Sequence, residues 1–350
     1  MNHDDESVIV RVDDGVPTGP SLPGVRLRIA GILHPGDADS RRRAAEALNR
    51  CDVVIVQHEY GIYGGRDGEE VVDLLALVRR PVVTVMHTVL TEPSVHQRAV
   101  IAAVVDRTDI VVAMTAAGSR LLEDGYGVPS SRLRLIPHGV DRWALPRPSP
   151  APHRSTVLTW GLLGPGKGIE WGIRAIAALK DAGHAPRYRV LGQTHPKVVM
   201  ESGQQYRRSL WALAEELGVG ELVEIDGRYR ESDELAADVV DADIVLLPYD
   251  SREQTTSGVL VEAVAAGRPV IATRFPHAVE LLTAGAGLLV DHESPEQIAA
   301  AILSILQGTA GAGAARARET ETEAFSGWAS VADRYRALSA ELSVPMEVAG

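Results

Sequence analysis

The sequence predicts an α/β protein of two doubly wound domains, each built on a parallel sheet. Three observations support this prediction. Short apolar strands alternate with segments of helical spacing along most of the chain. Prolines recur at every second residue from Pro146 to Pro152, where the alternation stops, and this predicts a linker. With 350 residues and 45% hydrophobic composition, the chain is long enough to form two cores.

In the first predicted domain, residues 1–146, short runs of β-branched and apolar residues mark the strands. Asp52 to Gln57 contains Val-Val-Ile-Val, as expected of a strand buried in a parallel sheet. The other predicted strands are Val8 to Val12, Leu27 to Leu33, Pro81 to Met86, Asp109 to Met114 and Arg132 to Ile136. Ser40 to Asn49 and Ser94 to Val105 have the spacing of helices.

The second predicted domain, residues 153–325, repeats this alternation. It begins with the strand Thr156 to Trp160, and apolar residues at helical spacing follow Gly168. Further strands are predicted at Tyr188 to Leu191, Leu222 to Ile225, Asp243 to Leu247, Pro269 to Ala272 and Gly287 to Val290. Thr309 to Ala317 is rich in small residues and is predicted to be a loop.

The turn between the first strand and the first helix of the second domain is the main functional signal. Gly161 and Gly166 expose backbone N–H groups there, and Lys167 adds a positive charge beside the helix N-terminus. This combination predicts a site for phosphate oxygens, because aligned N–H groups and a helix N-terminus attract anions. Only three lysines occur among the 35 Lys and Arg residues, so a lysine at this turn is not a casual surface cation.

Two other interpretations of this turn stay open. Gly161 to Lys167 has the spacing of a nucleoside triphosphatase P-loop, but Gly168 stands where that loop needs Ser or Thr to hold magnesium. Alternatively, the glycines serve only tight packing of strand and helix, and the lysine is solvated.

Charge, cysteine content and hydropathy argue against nucleic-acid binding, a disulfide or structural zinc site, and a membrane-spanning segment. A formal charge of −12 and a pI near 5.4 argue against nucleic acid, whose phosphates favour a basic face. Cys51 is the one cysteine, so neither an internal disulfide nor a structural zinc site is expected. The segment Met1 to Glu6 lacks a basic signal-peptide region, and no apolar run is long enough to cross a bilayer. We therefore expect a cytoplasmic protein.

Several candidate ligand-binding residues stand directly after predicted strands. Ligands of open parallel sheets bind beyond the carboxyl ends of the strands. In the first domain the candidates are His58, Glu59, His87, Thr115 and His138, and in the second they are Lys167, Gln193, His195, Arg228, Tyr249, Asp250 and Arg274. Two sheets that face each other are expected to place both sets in one cleft. Any single histidine is also consistent with a structural role.

A second group of candidates lies within residues 248–271, predicted as loop, helix and strand. Thr256 or Ser257 is expected to cap the helix. The N–H groups of Ser257, Gly258 and Val259 are then expected to be free for a second anion contact. Glu262 follows on the same helix among apolar residues. A carboxylate there needs partners, and ribose hydroxyls are suitable; the alternative is an exposed glutamate on an outer face.

These motifs carry a family resemblance. Lys167-Gly168 after the glycine turn, followed by Glu262 to Ile271, resembles the retaining glycosyltransferases of family 4, which have the GT-B fold of two Rossmann-like domains. Pro137-His138-Gly139-Val140-Asp141 is similar to the Pro-Asn-Gly-Val-Asp element of that family, with His in place of Asn. Gln57 to Gly61, with His87 to Leu90, is similar to one bacterial branch of the family.

The resemblance covers roughly Val53 to the end of the chain. Residues 326–342 resemble the C-terminal helix that returns to the first domain in that family. The resemblance implies metal-independent, retaining transfer of a hexosyl group from a nucleotide-diphosphate sugar, without a cofactor. The expected acceptor is a hydroxyl on a glycan, a lipid-linked sugar or a small molecule, with peripheral membrane contact as an option.

The resemblance also implies residue roles. Lys167 binds the diphosphate, Glu262 the ribose and His87 the donor sugar, while His58, Glu59 and His138 are expected on the sugar or acceptor side. Two positions depart from the family pattern. Gln254 replaces the first glutamate of the two-glutamate motif, eight positions before Glu262, and Leu162 replaces the arginine that often follows the first glycine. We expect Gln254 to bind sugar hydroxyls as a catalytic residue, and backbone donors to compensate for Leu162.

Two alternative functions stay open. A sugar-nucleotide-binding protein without transferase activity is favoured by Leu162 and Gln254 and opposed by Lys167, Glu262 and His87. A sugar-nucleotide epimerase of the same fold would act on the donor alone, so turnover without an acceptor would identify it.

The beginning of the chain suggests that a structural unit is missing. Val8 to Val12 fits the second strand of the family better than the first, and no glycine loop followed by an amphipathic helix precedes Ser40. We expect the first βα unit to be absent, through an upstream start or a deletion. A sheet without its inner strand would expose apolar edges near Val53 to Gln57.

Overall fold

The chain divides into two compact units, which are described separately. The computed structural model describes residues 6–13, 28–140, 154–283, 285–309 and 326–343. One unit comprises Met1–Ile136 with Ala332–Gly350, and the other comprises Pro137–Val331. The predicted proline-rich linker, and most of the predicted small-residue loop, lie outside the described residues. The predicted domain limits therefore stay a prediction.

The first unit contains a four-stranded parallel sheet. Its strands, in spatial order, are β3 (Val54–His58), β4 (Val82–Met86), β5 (Ile110–Ala113) and β6 (Leu133–Leu135). The preceding strands β1 (Val8–Val12) and β2 (Arg28–Leu33) pair in parallel as a separate two-stranded sheet. The helices are α1 (Ala38–Leu48), α2 (Glu70–Leu75), α3 (Val95–Asp106) and α4 (Ala116–Tyr126). Every residue of β4 is buried, as expected of a central parallel strand.

Among the strands that the structure describes, β3 lies at an edge of its sheet. Its side chains alternate between buried and exposed, and Ile55 on the outer face is 41% exposed. Ile9, Ile29 and Ile32 in the neighbouring two-stranded sheet are exposed as well. The absence of a first βα unit stays a prediction.

The second unit is built on a six-stranded parallel sheet. Its strands are β8 (Thr156–Trp160), β9 (Arg187–Leu191), β10 (Val223–Asp226), β11 (Ile244–Leu247), β12 (Val270–Thr273) and β13 (Gly287–Val290), in the spatial order β10-β9-β8-β11-β12-β13. A short pair is formed by β7 (Gly139–Val140) and β14 (Ser326–Gly327). The strand order therefore reverses between β8 and β11, and ligands of doubly wound sheets bind at such a switch point.

Helices cover both faces of this sheet. They are α5 (Ile169–Asp181), α6 (Pro196–Ser202), α7 (Gln205–Glu216), α8 (Ser232–Asp241), α9 (Gly258–Ala265), α10 (Pro276–Leu282) and α11 (Pro295–Leu306). Successive residues of β8 belong to different cores: Val157 packs with α5, α7 and α11, and Leu158 with α8, α9 and α10. Alternating side chains of one strand thus bury both helix layers.

The last element in the described residues is the helix α12 (Trp328–Ser343). Arg134 in the first unit donates to Glu341 near the end of this helix at 2.9 Å. Within the described ranges, no helix has the length and apolar composition needed to cross a bilayer.

Candidate functional site

The loop after β8 and the loop after β11 are in direct contact at the switch point. Gly161 and Gly166 have φ angles of +123° and +88°, which L side chains rarely adopt. The N–H of Asp250, after β11, donates to the carbonyl of Gly166 at 3.0 Å. A Cβ at Gly168 would lie 1.8 Å from the carbonyl oxygen of Pro248, so only glycine fits there. This explains why no Ser or Thr occupies the position that a P-loop reserves for a magnesium ligand.

Lys167 is half-buried in this turn, at the N-terminus of α5. Its Nζ lies 4.3 Å from the ring centroid of Tyr249, in cation–π contact. No carboxylate in the described part of the chain lies within ion-pair distance of this ammonium group, so its charge is not neutralised there. Gly168 precedes α5 without a capping side chain. The turn therefore combines an uncompensated cation with a helix N-terminus, as anion sites do.

The N-terminus of α9 differs in one respect from the sequence prediction. Ser257 caps the helix, and its Oγ accepts the N–H of Leu260 at 3.3 Å. The N–H of Ser257 is not available for an anion, because it donates to Nδ1 of His277 at 2.8 Å. That prediction was wrong because His277 follows twenty residues later and reaches Ser257 only in the folded chain. The N–H of Gly258 has no acceptor within the described residues and stays a candidate donor.

His138 lies beside this helix N-terminus. A Cβ at Gly258 would lie 3.1 Å from Nε2 of His138. Nδ1 of His138 is 2.6 Å from the carbonyl oxygen of Gly139, so it carries a proton and donates. The sequence placed His138 with the first domain, whereas the structure groups it with the second unit. The short strand β7, which pairs with β14, holds it there.

Gln254 and Glu262 lie on either side of the α9 N-terminus in sequence. Gln254 Nε2 donates to the carbonyl of Thr256 at 2.5 Å, which leaves Oε1 as the group that can accept a hydrogen bond from a sugar hydroxyl. Glu262 is half-buried and follows Gly258 by four residues, so both are on the same face of α9. This geometry can bind an anion and a neighbouring diol along one helix.

In the first unit, two neighbouring strands bring the predicted polar residues together. Nε2 of His87, after β4, lies 2.7 Å from Oε1 of Gln57 on β3, and Thr88 donates to Glu59 at 2.6 Å. His58 is fully buried, because β3 alternates and places it on the inner face. A ring with no exposed surface does not contact a sugar or an acceptor, so the prediction of His58 on the sugar or acceptor side was wrong, whereas His87 is half-buried.

The remaining strand-end candidates have local partners. Thr115 caps α4 through the N–H of Gly118, and His195 caps α6 through the N–H of Lys197. Arg228 pairs with Asp226 at 2.8 Å, and Arg274 with Asp291 at 3.2 Å. Gln193 is exposed. These contacts give most of these residues a structural role.

Because two histidines are buried, we expect the protein to lose stability in mild acid. Burial lowers the pKa of His58 and of His277 to about 4, with a smaller contribution from His87 and His138 respectively. Between pH 6.5 and 4 only the unfolded chain binds these protons, so stability falls as the pH falls. We expect a loss of about 2 kcal/mol per histidine between pH 8 and pH 5.

Urea denaturation at pH 8 and pH 5 measures this loss. Asp37, Asp226 and Asp291 have lowered pKa values, so they titrate below this window. We expect His277→Asn to remove about 2 kcal/mol of the loss, to which the burial-lowered pKa of His195 also contributes, and His184→Asn, at an exposed site, to leave it unchanged. Equal loss in wild type and His277→Asn would contradict the assignment.

A glycine turn with a cation that has no ion-pair partner among the described residues, at the switch point of a doubly wound sheet, is typical of a nucleotide-binding α/β protein. The family model "Glycosyl transferases group 1" matches residues 154–308, and the model "Glycosyltransferase Family 4" matches residues 3–143. D-inositol 3-phosphate glycosyltransferase of Acidothermus cellulolyticus is 31% identical over 329 residues, which cover 81% of this chain and 69% of that enzyme. The chain belongs to glycosyltransferase family 4.

Other relatives align over shorter parts. The Escherichia coli glycosyltransferase named WcaL is 30% identical over 188 residues, and the chain spans 44% of its length. Anabaena Alr3699/HepE, solved with UDP, has a TM-score of 0.71 at 18% identity, over 90% of this chain and 86% of that one. Sucrose-phosphate synthase from Thermosynechococcus elongatus has a TM-score of 0.69 at 20% identity, over 95% and 87%. At these identities the structures confirm the GT-B fold alone.

Proposed function

We propose that this protein is a retaining, metal-independent glycosyltransferase that moves a hexosyl group from a nucleotide-diphosphate sugar to a hydroxyl acceptor. The observation that carries the proposal is Lys167, a half-buried ammonium without an ion-pair partner in the described residues, at the switch point of the sheet. The family supports the reaction class. The structures of HepE with UDP and with UDP-glucose make a uridine nucleotide the first donor to test.

The proposed chemistry needs charge stabilisation at the diphosphate. As the bond between the anomeric carbon and the phosphate oxygen breaks, negative charge grows on the leaving group. Lys167 and the N-termini of α5 and α9 supply the compensating charge, and Glu262 binds the ribose hydroxyls. The acceptor hydroxyl attacks from the face that the diphosphate leaves, and its proton passes to the leaving phosphate. Gln254 positions the donor sugar.

A panel of sugar nucleotides tests this proposal. We expect one donor, with UDP-glucose tried first, to release its nucleoside diphosphate in the presence of a hydroxyl acceptor. The rate is expected to be unchanged by EDTA, because protein cations supply the charge that a metal would otherwise provide. The anomeric configuration of the product, measured by NMR, is expected to match that of the donor.

Loss of turnover in EDTA, with recovery on adding magnesium or manganese, would contradict metal independence. Inversion at the anomeric carbon would contradict the retaining mechanism. Release of nucleoside diphosphate without any need for an acceptor, together with an altered sugar, would instead indicate an epimerase.

Two positions favour a second function, a sugar-nucleotide-binding protein without turnover. Leu162 occupies the position of a family arginine and is 46% exposed, so no cation stands at that position of the turn. Gln254 replaces a glutamate, and its amide nitrogen is already bonded to Thr256. Donor binding without turnover for any donor and acceptor pair would support this alternative.

The proposed role of Glu262 gives a separate prediction. A ribose contact is similar in the ground state and the transition state, so Glu262→Gln is expected to raise the donor KM with little change in kcat. Loss of a hydrogen bond to a charged group predicts a rise of about tenfold or more. Steady-state kinetics measure both constants, with Glu216→Gln on the exposed face of α7 as the control. A normal KM with a collapsed kcat would contradict the role.

A further inference from the structure

A buried histidine joins the two functional parts of the loop that precedes α9. Nδ1 of His277 accepts the N–H of Ser257 at 2.8 Å, and the backbone N–H of His277 donates to the carbonyl of Gln254 at 3.3 Å. One residue of α10 therefore binds the loop at the proposed sugar-contacting residue and at the helix cap. His277 is 5% exposed, so water does not replace these bonds.

The ring of His277 is neutral and in one tautomer. Burial holds its pKa near 4, so the ring is uncharged at neutral pH. Since the N–H of Ser257 can only donate, Nδ1 of His277 must accept, and the ring proton is on Nε2. The acceptor at Nδ1 is therefore present throughout the physiological pH range.

The position of His277 is itself fixed by the residues around Lys167. Phe275 is fully buried and stacks on Tyr249, with ring centroids 5.2 Å apart. Lys167 Nζ lies over the same Tyr249 ring. Pro276 is the first residue of α10 and restricts the backbone between Phe275 and His277. The switch-point cation and the α9 cap are thus connected through Tyr249, Phe275 and His277.

We propose that His277 is a positioning residue of the donor site, which holds Ser257 and Gln254 in the geometry that binds the nucleotide-diphosphate sugar. The inference rests on the proposed function. Without an acceptor at Nδ1, the N–H of Ser257 is left buried and unpaired, and the loop gains alternative conformations. Donor binding must then order the loop again, which weakens affinity.

A comparison of His277→Asn with His277→Gln tests the inference. The amide oxygen of Asn can occupy the place of Nδ1, whereas the longer Gln carries its amide near the place of Nε2. We expect Asn to bind the best of UDP, GDP and ADP within about threefold of wild type, and Gln and His277→Leu to bind at least tenfold more weakly, which is 1.4 kcal/mol. Calorimetry measures the affinity, and thermal unfolding without ligand measures stability.

The outcomes separate a positioning role from a purely structural one. Equal affinity in Asn and Gln, or tighter binding in Leu because the freed N–H of Ser257 itself contacts the anion, would overturn the inference alone. A Gln or Leu variant at His277 that loses thermal stability but keeps wild-type affinity would also overturn it. If His277→Leu fails to fold, the comparison of nucleotide affinity between His277→Asn and His277→Gln still tests the inference. Failure of the wild-type chain to bind any of the three nucleotides would overturn the proposed function and this inference with it.

Discussion

Replacing Lys167 with alanine is expected to lower turnover several hundredfold or more. The ammonium group is half-buried and has no ion-pair partner in the described residues, so its charge is available to the leaving diphosphate. Loss of one preorganised charge contact costs about 3–4 kcal/mol of transition-state stabilisation. Initial rates of nucleoside diphosphate release measure the effect.

The small number of lysines provides a matched control for this variant. Lys180 is in the last turn of the same helix, α5, and donates to the carbonyl of Gly218. Lys180→Ala is expected to keep turnover near that of wild type. Near-normal turnover in a folded Lys167→Ala variant would remove Lys167 from the mechanism.

Replacing Gly168 with alanine is expected to abolish donor binding, with a loss of at least a hundredfold in affinity. The new Cβ would lie 1.8 Å from the carbonyl oxygen of Pro248, so the turn or the loop after β11 must move. That movement displaces Lys167 and the start of α5 together, and the loss of two contacts to a charged group, at about 1.5–3 kcal/mol each, lowers the affinity about a hundredfold or more. Calorimetric titration with whichever of UDP, GDP and ADP binds the wild-type protein measures the loss of affinity.

Gly183→Ala is the control that distinguishes a steric clash of the new Cβ from backbone strain at a positive φ angle. Gly183 follows the same helix and has φ of +84°, but nothing lies within 4 Å of a Cβ there. This variant is expected to lose only about 1–2 kcal/mol of stability, through backbone strain, and to bind nucleotide normally. Equal nucleotide affinity in Gly168→Ala and wild type would show that the close contact with Pro248 does not shape the site.

The positions of the twelve main strands could be predicted from the sequence. All twelve predicted strands in the described ranges occur within two residues of the predicted positions; Val8–Val12, Thr156–Trp160 and Gly287–Val290 match at both ends. The signals are local, because each strand is a short apolar run and each turn has its own glycine or proline. The turn after β8 was identified for the same reason.

The contacts that complete the site could not be predicted from local signals. Thr256 or Ser257 was predicted as the cap; Ser257 is the cap, yet its N–H donates to His277, which is twenty residues away and on another helix. His58 and His87 each follow a predicted strand, but His58 is the last residue of β3, whose alternation buries it, and His87 lies just after β4 and is half-buried. His138 precedes the predicted linker. It lies beside Gly258 because the adjoining strand β7 pairs with β14, which is far away in sequence. Each of these facts depends on tertiary structure.

Calorimetric titration of UDP, GDP and ADP in EDTA is the most direct test of the proposed donor site at the switch point. We predict that one of the three nucleotides binds with one site per chain, that Lys180→Ala binds it equally well, and that Lys167→Ala binds it at least tenfold more weakly. Binding that needs a divalent cation, equal affinity in the two lysine variants, or no binding of any nucleotide would contradict the account.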